Sequence, residues 1–323
     1  MLKIFRNYLT FLFIVSLVLF TFWDLPNTFY QQDEWQSLGH NLSSSFLSLF
    51  KDTNPILLLF SEKRPLSSLF YSIFLGYYKF TVMPAAIFAI LFQAFNSILL
   101  FIFVEKLTKK TFIALVASIF LIVNSVSHQA VTWVSAVTTL PAASLILLSL
   151  ILYLKFLETK VNKYKLLSFL SIILSLYFKG VGIFLFVLLP ILHAFYKGME
   201  INKKNIKVIL KENIFLLGFA TLTILIRFLE FFFRSEGVAG YTSVAGSGNF
   251  FQTILFRSVV YPLTSLFQIF VPPLDFYAKA GEIARAQYKF LVGSPLVDLV
   301  GQSAVSDLMA VLGTGLILCL LGL

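Results

Sequence analysis

Between Lys110 and Lys155 the chain carries no Asp, Glu, Lys or Arg, and Pro84–Val104 is equally free of charge. Uncharged apolar runs of this length suit a bilayer. About 20 apolar residues in a helix cross a hydrocarbon core of about 30 Å and satisfy every backbone hydrogen bond within the segment. Barrel strands would instead alternate apolar and polar residues over short segments, which these runs do not. The composition agrees: 59% of the 323 residues are apolar and 12% charged, where ordinary soluble chains carry roughly 25%. Mean hydropathy is +0.90. The expected fold class is all-α, a polytopic integral membrane helix bundle.

The net charge of +10 would raise the question of nucleic acid in a soluble protein. Here the bases sit in short clusters between apolar runs, with no aromatic-interleaved basic groove, so they orient the chain in the lipid bilayer. Lys3 and Arg6 precede the run Tyr8–Trp23, which places the N-terminus in the cytoplasm and sends the first crossing, residues 8–23, outward. A cleaved signal peptide is the alternative, but no small-x-small site follows. Residues 24–82 form a mixed-polarity extracytoplasmic loop, with helical spacing around Leu38–Phe50 and Leu66–Tyr78 of the kind that lies in the interface.

A helical core is expected over residues 83–233. Pro84–Val104 returns to the basic cluster Lys106, Lys109 and Lys110. From there to Lys155 the chain reads as a hairpin whose polar middle, Asn124, Ser125, Ser127, His128 and Gln129, reaches the outer face. Leu166–Tyr196 reads as a second hairpin tipped by Lys179-Gly180 and bracketed by lysines, and Ile214–Phe233 crosses outward again. Residues 234–323 supply a Gly/Ser-rich loop and C-terminal helices, with Phe250–Val271 a further crossing stopped by Pro272-Pro273. The segment 274–300 reads either as a cytoplasmic loop or as interfacial helices. The sequence ends inside the apolar run Val305–Leu323, as a truncated chain would. The total is about eight crossings. Cys319 is the sole cysteine and can form no internal disulfide.

No phosphate loop, HExxH, paired CxxC or GxSxG elbow is present. Chemistry must come from polar residues on the outer face. Asp33-Glu34, a few residues beyond the first helix, reads either as a solvated carboxylate pair or as a base held near the headgroups. Lys179 stands alone in an apolar hairpin, a costly position unless it reaches the interface or an anion such as phosphate. Arg64, in Glu62-Lys63-Arg64-Pro65-Leu66, has the fork geometry for phosphate or carboxylate, although it also fits an ordinary surface arginine. His128 can line an outer cavity or simply satisfy a hairpin tip. Arg227 and Glu230, three apart on one helix, are expected to pair with each other. His40 and His193 offer less reason for a functional role.

The order of these features resembles the GT-C class of membrane glycosyltransferases, nearest to the group of protein O-mannosyltransferases and bacterial aminoarabinose transferases. The matching residues are Asp33-Glu34, the Glu62–Leu66 motif, the stretch SVSHQAVTWVSAVTTLPAASLILL at 125–148, and Phe178-Lys179-Gly180 with Pro190 downstream, together covering about residues 8–200. The resemblance implies transfer of a sugar from a polyprenyl-phosphate carrier to an acceptor hydroxyl outside the membrane, with inversion. Asp33 would be the catalytic base, with Glu34 beside it, and Lys179, Arg64, Lys63 and His128 would bind substrate. A divalent cation near the phosphate is compatible with that chemistry, though few carboxylates are available to hold one. The resemblance departs at the tip of the first hairpin, where members commonly carry a second acid and this chain has Thr138-Thr139. That departure motivates a different expectation, a non-catalytic relative that binds a polyprenyl lipid. A transporter would show internal repeats and matching broken helices, and neither is visible.

Overall fold

The computed structural model describes residues 2–30, 65–78, 80–199 and 203–233, together with Trp35 and Gly39. The chain divides into two compact units, 1–123 with 127–227 and 124–126 with 228–323, and the first of these carries most of the described helices. Among the described residues the structure is helical, with ten α-helices and no strand. Among the described residues three helical stretches are long and apolar enough to cross a membrane, Tyr8–Asn27, Met83–Thr108 and Val134–Thr159, and they mark the chain as membrane-associated. Two shorter apolar stretches, Thr111–Val123 and Gly180–Tyr196, accompany them.

Helix α1 (Leu2–Thr21) ends where Asp24 and Pro26 follow, and the backbone tightens into a 3-10 turn at Leu25–Asn27. Helix α2 (Pro65–Tyr71) continues as a π-helical turn, Ser72–Tyr77, and falls within the amphipathic stretch expected at Leu66–Tyr78. The uncharged run forms α3 (Met83–Thr108), closed by Lys109 in the left-handed conformation, φ 59°. The expected first hairpin is built from α4 (Thr111–Val123), α5 (Ser125–Thr132), a 3-10 turn at Val134–Ala136 and α6 (Thr139–Thr159). The second hairpin is α7 (Asn162–Phe178), a break at Lys179, a 3-10 turn at Gly180–Phe184 and α8 (Leu185–Tyr196). Helices α9 (Lys203–Glu212) and α10 (Ile214–Phe233) complete the described chain. The expected crossings 8–23, 84–104 and 214–233, and both hairpins, therefore fall on helices. The segments expected over 234–323, including the Gly/Ser loop and Cys319, lie outside the described residues.

Helix α3 is the central post, in contact with α1, α4 and α6, while α7 packs along α6. In lipid, apolar side chains gain little by leaving their solvent, so close approach through small residues and hydrogen bonds holds helices together. The α3 sequence supplies both. Ala85, Ala86 and Ala89 are buried along it, Gln93 donates to the Leu121 carbonyl of α4 (3.2 Å), and Ser118 of α4 donates to Ser97 O (3.0 Å). Toward α6, Asn96 Nδ2 donates to Leu140 O (3.0 Å) and accepts from Ser144 Oγ at its own Oδ1 (2.6 Å). Between α6 and α7 the Ser149 and Ser168 hydroxyls meet at 2.9 Å.

The lysines expected in the cytoplasm gather at one end of this bundle. Lys106 pairs with Glu158 (2.9 Å), Lys160 with Glu212 (3.4 Å), and Lys197 donates to Leu157 O (3.1 Å). Beside them lies a buried polar chain in which Tyr153 Oη donates to Asn213 Oδ1 (2.7 Å) and stands 3.2 Å from His193 Nδ1.

Candidate functional site

The candidate site lies at the opposite end, and its residues come from segments far apart in sequence. Helix α6 sets the separation: its 21 residues span roughly 30 Å from Thr139 to Thr159, next to the lysine-rich end. Its starting end is where α2, α5, the 3-10 turn at Val134–Ala136 and the end of α7 converge.

Lys179 closes α7. Its backbone is extended (φ −156°, ψ 138°), its N–H still donates to Ser175 O (2.9 Å), and the chain leaves the helix axis there because Gly180 begins a tighter 3-10 turn. That exit turns the side chain back toward α6, where Nζ donates to Thr139 Oγ1 at 2.6 Å. The partner is one of the two threonines that stand where the resemblance leads one to expect an acid.

Ser67, two residues beyond Pro65, donates to Phe178 O at 2.5 Å and so fixes the start of α2 against the residue preceding Lys179. Tyr71, one helical turn on, donates to Ser135 O at 2.6 Å. These two bonds join the start of α2 to the end of α7 and to the tip of the first hairpin. Within the same tip, Trp133 Nε1 is buried and has no hydrogen-bond partner among the described residues. A buried indole N–H is a donor that cannot remain unpaired without cost, so a polar ligand atom is its natural complement. Sequence reasoning missed Trp133, Ser67 and Tyr71; the signal available was only their position in or beside the matched stretches.

His128 sits on α5 near this end. Its Nε2 is 3.0 Å from Ile122 O and its ring meets Phe22 edge-on with centroids 4.8 Å apart. These contacts tie α5 to the ends of α4 and α1 and direct one ring nitrogen to the backbone. Asp33, Glu34, Lys63 and Arg64 lie outside the described residues, as do His40 and the side chains of Arg227 and Glu230. On either side of Asp33-Glu34 in sequence, Tyr30 is 6% exposed in the core and its ring meets that of Trp35 edge-on at 5.9 Å. Among the described residues no three His, Cys, Asp or Glu side chains converge as metal ligands. The described residues of the site supply an ammonium, hydroxyls and an indole N–H.

No protein-family model and no curated protein matches this chain.

Proposed function

We propose that this protein is a GT-C-type glycosyltransferase, multi-pass in the plasma (inner) membrane with its N-terminus in the cytoplasm, that moves a sugar from a polyprenyl-phosphate carrier to an extracytoplasmic acceptor hydroxyl with inversion. The observation that carries this reading is the Ser67 to Phe178 hydrogen bond, which brings the residues following Arg64 against Lys179 at the end of the bundle remote from the lysine cluster. The bond joins Ser67, three residues after Arg64, to the carbonyl of the residue before Lys179, 111 positions away in sequence, and one phosphate bound by both cations would need such a link. The unpartnered Trp133 indole supports it further, since a sugar hydroxyl or phosphate oxygen is an acceptor of the right kind.

The reaction then runs as a single displacement. Asp33 takes the proton from the acceptor hydroxyl as that oxygen attacks the anomeric carbon, with Glu34 beside it. The bond between that carbon and the phosphate oxygen breaks, and its electron pair leaves with the polyprenyl phosphate. Lys179 and Arg64, with Lys63, stabilise the departing charge, an interaction that strengthens as the bond breaks and so lowers the barrier. His128 and its contacts hold the wall of the site.

The test is release of free polyprenyl phosphate from a panel of polyprenyl-phosphate sugars by the purified chain, beside Asp33→Asn and Lys179→Ala. Asp33→Asn is expected to lower turnover by about 10²–10⁴ while carrier affinity persists. Lys179→Ala is expected to lose about 10²–10³ in rate. A second reading is favoured by Thr138-Thr139, where a second acid would stand: a protein of this fold that binds a polyprenyl lipid without turning it over. Tight carrier binding with no release from any sugar would decide for that reading.

A further inference from the structure

The lysine-rich end holds a cavity of ≈ 450 Å³, remote from Lys179 and Trp133. That volume falls within the roughly 300–1,000 Å³ of small-molecule sites. Its walls are mostly apolar: Leu166 and Phe169 of α7, Leu189 of α8, and Phe215 of α10. Leu166 and Phe215 are 59% and 83% exposed, so the apolar wall continues onto the flank of the bundle. Lys165 and Asn162 also line the cavity.

The charges around this cavity are unbalanced. The Glu212 carboxylate is taken by Lys160 (3.4 Å) and lies 3.6 Å from His193, and the Glu158 carboxylate is taken by Lys106 (2.9 Å). Lys165 instead donates to the backbone carbonyl of Glu212, with its ammonium 5.3 Å from the Phe156 ring centroid. An ammonium has three N–H donors, and this carbonyl uses one of them. Lys163, exposed, begins the same helix, and α7 has no acidic residue in its first turn. Cations at the positive end of a helix dipole are unfavourable, so this corner gains from an anion of its own.

An apolar chamber open along the bundle flank, with the Lys165 ammonium in its wall and Lys163 two residues before it on α7, is complementary to a molecule with a hydrocarbon tail and an anionic head. We propose that the cavity binds an acyl chain of an anionic glycerophospholipid from the leaflet on the lysine-rich side, with the lipid phosphate on Lys165 and Lys163. A small soluble anion would leave the apolar walls unfilled, and a zwitterionic lipid would bring its own cation to the lysines.

Binding to the purified full-length chain in neutral detergent tests this, with phosphatidylglycerol and phosphatidylcholine as probes, measured by native mass spectrometry and by the shift in Tm. Phosphatidylglycerol is expected to bind more tightly and to raise Tm more than phosphatidylcholine. Replacing both lysines, Lys163→Gln with Lys165→Gln, should weaken phosphatidylglycerol by about 30-fold and erase the preference. Lys207→Gln, which removes an exposed lysine of α9 and leaves those of α7 in place, should leave the preference intact. Leu189→Trp, which fills the cavity and keeps every charge, should also abolish the tight binding, and it serves if the double variant does not fold. Equal binding of the two lipids, or an undiminished preference in Leu189→Trp, would overturn the proposal. So would a polyprenyl phosphate that outcompetes phosphatidylglycerol for the cavity.

Discussion

Gly182 shows how tightly the turn after Lys179 is wound. A Cβ at this position would run into Ser175 Oγ on α7 and stand 3.3 Å from the Ser175 Cβ. Ser175 is fully buried and its hydroxyl is already bonded to Ile172 O (2.7 Å), so it has little room to yield. Gly182→Ala is therefore expected to cost about 1–3 kcal/mol, read as a lower Tm in detergent. Adding Ser175→Ala should return part of that loss, because the atom in closest conflict is gone; a double variant no better than the single one would place the strain elsewhere. The Asn96 amide is a comparable case in the core. It links α3 to Leu140 and Ser144 of α6, and Asn96→Ala should destabilise the chain by about 1 kcal/mol, since its two interhelical hydrogen bonds are worth about 0.6 kcal/mol each in lipid.

Among the helices, two ends behave alike. Lys109 and Lys160 close α3 and α6 with φ of 59° and 58°, a region that costs an L-residue about 1–2 kcal/mol and costs glycine nothing. Lys109 gains little in return, since its ammonium is 3.8 Å from Glu158 and 68% exposed. Lys109→Gly is accordingly expected to be more stable than Lys109→Ala by about 1 kcal/mol, and chemical or thermal unfolding of the two variants side by side measures it. Helices were the most legible part of the sequence. The uncharged run 84–104 and the lysines after it announce α3 and its end, because a bilayer rewards continuous apolarity and basic residues stop at its surface. The separate helix α5 was not legible, since its polar residues read equally well as a hairpin tip. Lys179 could be singled out as a lone charge in an apolar hairpin, but its partner Thr139 could not, because the bond depends on how α7 packs against α6. Tyr153, His193 and Asn213 form the same kind of blind spot. His193 and Asn213 lie 40 and 60 residues from Tyr153, the three have no shared spacing, and they meet only through the packing of their helices.

At the scale of the whole molecule, the described residues at the two ends of the bundle differ in charge. Lys106, Lys109, Lys160, Lys163 and Lys165 collect at one end, and Gln129, Trp133 and Lys179 at the other. By the positive-inside rule the lysine-rich end is expected in the cytoplasm. In a Cys319→Ser background, Gln129→Cys should react with an impermeant maleimide added outside intact cells, whereas Lys163→Cys should react only after permeabilisation. The reverse pattern would invert the orientation and remove the basis for an extracytoplasmic reaction. Glu158 and Glu212, placed among these lysines, moderate the charge without cancelling it, and exposed pairs of this kind are each worth less than about 1 kcal/mol.

The bond from Ser67 to the Phe178 carbonyl also imposes an order of events on synthesis. The donor leaves the ribosome 111 residues before its acceptor, and the acceptor is reached only at the end of α7. Until then the segment carrying Pro65–Tyr71 has no final seat. Translation must deliver the first hairpin and α7 before the early loop can close, so this corner of the protein matures late and passes through a stage in which α1, α3 and α4 are in place and it is not.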